Sequence, residues 1–213
     1  MDTALAFLCA YLCGSIPFGL LLGFLAGRDI RTAGSGNIGA TNTLRVCGAL
    51  YGVPALALDI FKGVAPVLFV TPTICENPSA LLLIGTGLLA ILGHNFPVWL
   101  KFKGGKGVAT SAGVVGALMW QPLAIALAVF FAVVLLTRYI SLGSMLASVA
   151  LVISQICLHG VNSFGQEQLP LTVTAMLLCV MVIARHRSNI SRLLAGTESK
   201  IFAGNISPPE EKS

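Results

Sequence analysis

Charge is scarce in this chain. Only 10% of its 213 residues are Asp, Glu, Lys or Arg, against roughly 25% in an ordinary soluble domain. Thirteen basic and eight acidic side chains cannot coat a soluble surface of this size, and a disordered chain would not be 56% apolar. Metal-type patterning is also missing. The six cysteines (Cys9, Cys13, Cys47, Cys75, Cys157, Cys179) form no C-x-x-C and no Cys–His grouping. They read as small apolar fillers of helix surfaces, with no disulfide and no metal expected. What remains is an all-α integral membrane protein with a mean hydropathy of +0.90. Its many Gly and Pro residues inside apolar stretches suit membrane helices better than soluble ones.

Residues 3–27 carry no charge and have no basic segment before them, so they read as a retained span and not a cleaved signal. Further apolar runs cover residues 50–73, 79–100, 108–136, 142–158 and 169–184. The 29 residues of 108–136 would form a straight helix of about 43 Å, against about 30 Å of hydrocarbon. Met119-Trp120-Gln121-Pro122 interrupts that run, because Trp prefers the interface and Pro breaks a helix. The reading is therefore two spans, 108–119 and 122–137, and seven transmembrane helices in all. With the N-terminus outside and the C-terminus cytoplasmic, every Lys and Arg except Lys62 falls on the inner side. The outer segments 71–78, 120–121 and 159–168 contain neither residue. An unbroken run would put Arg138 and the Arg185–Arg192 cluster on the face opposite Lys101, Lys103 and Lys106.

The polar residues gather at that inner face, in residues 28–45, 94–110, 138–144 and 185–198. Basic residues alone would merely hold anionic lipid, but Gly, Ser, Thr and Asn lie between them. In Gly34-Ser35-Gly36-Asn37-Ile38-Gly39-Ala40-Thr41-Asn42, followed by Arg45, glycines permit close approach to an anion and polar side chains add donors. The spacing formally matches a dinucleotide fingerprint, but a membrane helix stands where the strand is required. A P-loop reading fails because Ala40 holds the lysine position. Lys103-Gly104-Gly105-Lys106 precedes a helix with its N-terminus inside. Arg138, Ser141, Gly143 and Ser144 stand at the start of the next inward-facing helix, where a lone Ser also serves as a cap. His186 and Asn189 share one face if residues 185–192 are helical. Asp59 and Lys62, at i and i+3 within a span, either brace the adjacent loop or sit near mid-bilayer; bracing is the preferred reading.

Several of these motifs occur in order and together resemble the bacterial acyl-phosphate:glycerol-3-phosphate acyltransferase family. The resemblance rests on Gly14-Ser15-Ile16-Pro17-Phe18-Gly19, the 34–45 segment, Asp59-x-x-Lys62-Gly63 and Gly93-His94-x-Phe96-Pro97. It continues through residues 102–110, Arg138-Tyr139-x-Ser141-Leu142-x-Ser144 and Arg185-His186-Arg187-x-Asn189-Ile190. It implies a single membrane-embedded acyltransferase domain over residues 1–198 in the bacterial inner membrane; residues 199–213 lie outside the resemblance and read as a disordered cytoplasmic tail. It also implies acyl transfer from acyl phosphate to the sn-1 hydroxyl of glycerol 3-phosphate at the cytoplasmic face, forming lysophosphatidic acid for phospholipid synthesis. By resemblance, Ser35, Thr41 and Ser144 clamp the acyl phosphate. Arg45, Lys106, His186 and Asn189 make the glycerol 3-phosphate pocket. Gly36, Asn37, Asn42, Lys103, Gly104, Gly105, Ser141 and Gly143 are the further substrate-binding candidates. No cofactor, nucleic acid or obligatory protein partner is expected, only the two substrates and membrane lipid. No nucleophile–His–carboxylate triad is present, and His94 is followed five residues on by Trp99, not by the Asp of the soluble H-x-x-x-x-D acyltransferases. The proton acceptor is His186 or a substrate phosphate, with the phosphate preferred because the constellation is poor in carboxylates. A transporter of a phosphorylated solute is the alternative, but it should place its groups at the midplane.

Overall fold

The structure is a computed structural model, and it describes residues 2–201. Every regular element among them is helical: α1 (Asp2–Ser15), α2 (Phe18–Leu25), α3 (Ala40–Cys47), α4 (Ala49–Ala65), α5 (Thr71–Ile74), α6 (Ala80–Asn95), α7 (Val108–Leu118), α8 (Trp120–Thr137), α9 (Ile140–His159), α10 (Leu169–Arg185) and α11 (Arg187–Leu194). Five stretches are long and apolar enough to cross a membrane: Asp2–Leu25, Ala49–Ile74, Ala80–Leu100, Trp120–Thr137 and Ile140–Phe164. The pair α10–α11, bent by 56°, makes a sixth, and Val108–Leu118 is a shorter apolar helix. Large apolar side chains such as Leu135 and Leu136 are more than three-quarters exposed. That is the expected outer surface of a protein whose solvent is lipid.

Proline sets the breaks. Residues 3–27, read as one span, are divided at Ile16-Pro17 into α1 and α2. Pro17 has no N–H to return to the preceding turn, so Ile16 closes α1 instead, its N–H donating to the Cys13 carbonyl at 3.3 Å. The break expected between residues 119 and 122 falls at Met119, whose φ of −149° and ψ of 66° leave the helix. Trp120, Gln121 and Pro122 form the first turn of α8, where a missing N–H is harmless. In the long stretch from Ala49, Pro66 turns the helix into a π segment, Pro66–Val70, before α5. Thr71 Oγ1 donates to the Pro66 carbonyl there at 2.6 Å.

Small residues bring the helices together. Gly14 of α1 lies on the Ala90 backbone of α6, Gly63 of α4 on the Thr110 carbonyl of α7, and Gly113 of α7 on the Ile60 carbonyl of α4. With lipid as solvent, close backbone approach is a main source of helix association. Larger side chains (Val67, Ile91, Val114, Leu151, Leu178) fill the centre between α6, α7, α9 and α10.

Two expectations need correction. Asp59 and Lys62 do not brace the adjacent loop. α4 begins at Ala49, so the pair lies well along the span, and each side chain is only 2% exposed. They are 2.9 Å apart, and Lys62 Nζ donates at 2.7 Å to the Ile16 carbonyl in the α1–α2 break. The ion pair thus supports a helix interruption that the apolar pattern did not reveal. The expected tail from residue 199 begins too early. The Ile201 N–H donates to the Arg138 carbonyl at 2.8 Å, and Lys200 lies over the Tyr139 ring. Residues 202–213 lie outside the described residues.

A methyl group at Gly14 would meet the Ala90 backbone, which cannot yield, whereas one at Gly116 meets only the end of the Leu123 side chain at 3.2 Å. Gly14→Ala should therefore cost roughly 1–3 kcal/mol through overpacking. Gly116→Ala should stay within about 1 kcal/mol of wild type or gain from helix propensity. Thermal unfolding midpoints in detergent separate the two.

Candidate active site

Five parts of the chain meet where α9 begins and α10 ends. α3 contributes Arg45 in its last turn; the segment before α7 contributes Lys106; α9 contributes Ser141 in its first turn. The bent α10–α11 corner contributes His186 and Asn189, and the chain beyond α11 returns with Glu198.

A continuous set of polar contacts joins Lys106, Asn189, Glu198, Ser141 and Arg192. Lys106 Nζ hydrogen-bonds to Asn189 Oδ1. Asn189 Nδ2 donates to Glu198 Oε1 at 2.6 Å, and Ser141 Oγ donates to the same oxygen at 2.7 Å. Arg192 Nε donates to Glu198 Oε2 at 2.7 Å. Asn189 is therefore oriented by a carboxylate on its amide side and presents its carbonyl to an ammonium. His186 Nδ1 lies 2.8 Å from the Val182 carbonyl. A carbonyl only accepts, so Nδ1 carries the proton and Nε2 is left with a free lone pair.

The electrostatics follow from burial and crowding. Burial, then the charges of Arg192, Arg45 and Arg185, lower Lys106 to about 8 against the pull of Glu198. Burial, then the nearby Lys106 charge, lowers His186 to about 4, so it is neutral at physiological pH. Burial raises the Glu198 carboxyl, but hydrogen bonds from Ser141, Asn189 and Arg192 outweigh it and hold the group below its usual range. Arg45, lowered chiefly by burial, stays charged.

The Gly34–Asn42 loop lies at the start of the same α3 that carries Arg45. Gly34 and Gly36 have φ of +62° and +68°, and a Cβ on Gly34 would strike Asn42 Oδ1. Asn42 is buried. Its Oδ1 accepts from the Ser35 N–H at 2.8 Å, and its Nδ2 donates to the Ile30 and Ala33 carbonyls at 2.8 and 3.1 Å. Its amide thus shapes the loop. Asn37 Oδ1 accepts from the Gly39 N–H at 2.9 Å, closing the turn into α3. Ser35, Gly36 and Thr41 are exposed, and Thr41 stands one turn before Arg45.

The other candidates divide similarly. Gly104 and Gly105 do not form a free nest of N–H groups. Their N–H groups donate to the Asn95 and His94 carbonyls at 3.2 and 3.1 Å. Lys103 is exposed beside them. Gly143 packs on Val134 and Phe130 of α8, and Ser144 Oγ donates back to the Ile140 carbonyl at 2.9 Å. The structure therefore joins Arg45, Lys106, Ser141, His186 and Asn189, and turns Asn42, Gly104, Gly105 and Gly143 to packing and loop geometry. Sequence reasoning missed the central place of Glu198. The available signal was that it is the lone acid in the basic 185–200 segment. A cavity of about 200 Å³ lies at the far end of α9, lined by Met119, Trp120, Gln155, His159 and Gln168, away from this cluster.

Because its native value lies below the unfolded one, Glu198 adds stability that is present above the ordinary carboxylate range. That stability fades as pH falls through the lowered native value. The unfolding midpoint should therefore drop on acidification below about pH 4.5. Glu198→Gln should flatten that dependence, as read by thermal unfolding across a pH series.

The family model described as Glycerol-3-phosphate acyltransferase matches residues 4–196. A Glycerol-3-phosphate acyltransferase of Trichlorobacter lovleyi is 47% identical over 196 residues, covering 91% of this chain and 95% of its own. One from Geobacillus kaustophilus is 44% identical over 206 residues, covering 93% and 96%. The crystal structure of PlsY, an integral membrane glycerol 3-phosphate acyltransferase, in its glycerol 3-phosphate form superposes with a TM-score of 0.83. Its identity to this chain is 37%, over 94% of this chain and 96% of that one. The lysophosphatidic acid form gives a TM-score of 0.80 at 36% identity. Arg45, Lys106, His186 and Asn189 thus stand together in a chain that belongs to the membrane-embedded glycerol-3-phosphate acyltransferase family.

Proposed function

We propose that this protein transfers a fatty acyl group from acyl phosphate to the sn-1 hydroxyl of glycerol 3-phosphate, giving lysophosphatidic acid and inorganic phosphate. It does so at the cytoplasmic face of the bacterial inner membrane. The observation that carries the reading is the convergence of Arg45, Lys106, His186 and Asn189 at one end of an apolar bundle. Cations there meet the phosphate groups of water-borne and lipid-borne substrates alike. A transporter of a phosphorylated solute would need its donors at the midplane, whereas the deep polar pair, Asp59 and Lys62, is tied to a helix break.

In this scheme Arg45 and Lys106 hold the glycerol 3-phosphate phosphate, while Ser35 and Thr41 on the exposed loop edge, with Ser144, meet the acyl phosphate. The sn-1 oxygen attacks the acyl carbon, the bond from that carbon to the phosphate oxygen breaks, and phosphate leaves. His186 Nε2 accepts a hydrogen bond from the attacking hydroxyl and orients it. With a value of about 4, His186 is too weak a base to keep the proton. The proton goes to a phosphate oxygen, and the protein's share is positioning and charge stabilisation. The acyl donor is already activated, so no covalent enzyme intermediate is needed.

The test is turnover by purified protein, with lysophosphatidate as readout. Acyl phosphate should serve and acyl-CoA should not; equal use of acyl-CoA would sink the donor assignment. Arg45→Ala and Lys106→Ala should each lose about ten- to a hundredfold, since a charge-assisted contact is worth roughly 1.5–3 kcal/mol. The exposed Lys101→Ala should change little. Lys106 is charged only below about pH 8, so kcat/KM should fall as pH rises through that value. Lys106→Arg, which stays charged, should lose that limb from whatever activity remains.

The same reading requires α7 and α8 to cross separately, giving seven spans with the N-terminus outside. The break at Met119 supports this. On a background without the native cysteines, Gln121→Cys should label from outside and Arg138→Cys only from inside. Outside labelling at position 138 would refute the arrangement.

A further inference from the structure

Arg185 is the last residue of α10, next to His186, yet its side chain turns toward the segment that carries Lys106. Its Nε donates to the Gly105 carbonyl at 3.1 Å, and its Nη2 donates to the Gly104 carbonyl at 3.1 Å and also to that of Gly105. The guanidinium lies 5.3 Å from the centre of the Phe96 ring. From the opposite side the end of α6 takes the two glycine N–H groups on the His94 and Asn95 carbonyls. The buried His94 ring fills the space where a Gly105 side chain would stand, and the His94 carbonyl does the same at Gly104. Both edges of the Gly104–Gly105 backbone are therefore held, and the next residue is Lys106.

We propose that Arg185 is a positioning residue for the acyl transfer: by clasping the Gly104 and Gly105 carbonyls it keeps the Lys106 ammonium on Asn189 and beside His186. The inference rests on the function proposed above. A basic residue at the inner end of a membrane helix ordinarily meets a lipid headgroup. Here Nε and Nη2 are occupied by backbone carbonyls, which a headgroup phosphate would have to displace. The task suits a guanidinium, whose rigid fork reaches two neighbouring acceptors at once. An ammonium is a point charge on a flexible stem and cannot reproduce the fork. The clasp also joins the two halves of the cation site, since Lys106 comes from one side of the bundle and His186 and Asn189 follow Arg185 on the other.

Arg185→Lys in the full-length, detergent-purified chain tests this, because the charge stays and only the fork is lost. Lys106 faces Glu198, Arg192, Arg45, residue 185 and His186, and none of their charges changes in this variant. The first measurement needs no substrate: the pH at which Lys106 half-reacts with an amine-selective label, read by peptide mass spectrometry. Wild type should give about 8. Arg185→Lys should move the midpoint up by about one pH unit or more, as Lys106 swings into water and toward the ordinary lysine value. The second measurement is turnover, where kcat/KM for glycerol 3-phosphate should fall about ten- to a hundredfold. An unmoved midpoint would overturn the proposal, whether or not activity falls. A shifted midpoint in a chain whose wild type shows no turnover would uphold the positioning role and overturn the proposed function instead. If Arg185→Lys does not fold, Phe96→Leu, which removes the ring beneath the guanidinium, should give a smaller shift in the same direction. A wild-type midpoint in Phe96→Leu would then overturn the proposal.

Discussion

A backbone carbonyl or N–H freed inside hydrocarbon has no water to turn to, and each unpaired group costs several kcal/mol. The molecule depends on how it meets that constraint at its helix interruptions. At the α1–α2 break the Ile16 carbonyl is taken by Lys62, whose charge is balanced in turn by Asp59. After α6 the His94 and Asn95 carbonyls are taken by the Gly105 and Gly104 N–H groups. The carbonyls of those glycines are taken by Arg185. Buried charge is expensive in this solvent. The buried Asp59–Lys62 pair and the half-buried Arg185 are kept because they satisfy a bent backbone that a straight apolar helix would never have produced.

Those bends bring reactive side chains to one level. The glycine segment after α6 delivers Lys106, and the 56° turn from α10 to α11 delivers His186 and Asn189 to meet it. Arg45 arrives on α3, whose preceding loop is tied down by the Asn42 amide. Four cations near one another repel, and burial adds to the strain of keeping Lys106 charged. Glu198 offsets part of this while its hydrogen bonds fix Ser141, Asn189 and Arg192. A site with an excess of positive charge and neutral donors, and one carboxylate already engaged, is suited to anionic ligands. His186 Nε2, left with a free lone pair, belongs to a weak base.

Much of this was legible in the amino-acid order. Apolar runs marked the membrane helices because burial in lipid requires about twenty apolar residues in succession, a local property. Pro122 announced the α7–α8 interruption because a missing N–H is also local. Arg45, Lys106, His186 and Asn189 stood out as polar residues at the inner ends of apolar runs. Residues with two uses were harder to separate. Asn42, Gly104 and Gly143 have the composition of phosphate binders, and the same small or amide side chains serve equally well to close a loop or admit a neighbouring helix.

The sequence alone determined the class of protein, the positions of most spans and the end of the bundle where the polar residues gather, because these follow from solvation energies summed along short stretches. Only the tertiary structure decided which residues touch. Glu198 lies 57 positions from Ser141, Arg185 lies 80 from Gly105, and Lys62 lies 46 from Ile16. No periodicity links such pairs. Their contacts exist because helices packed through small residues leave particular carbonyls and charges facing one another in a medium that offers no other partner.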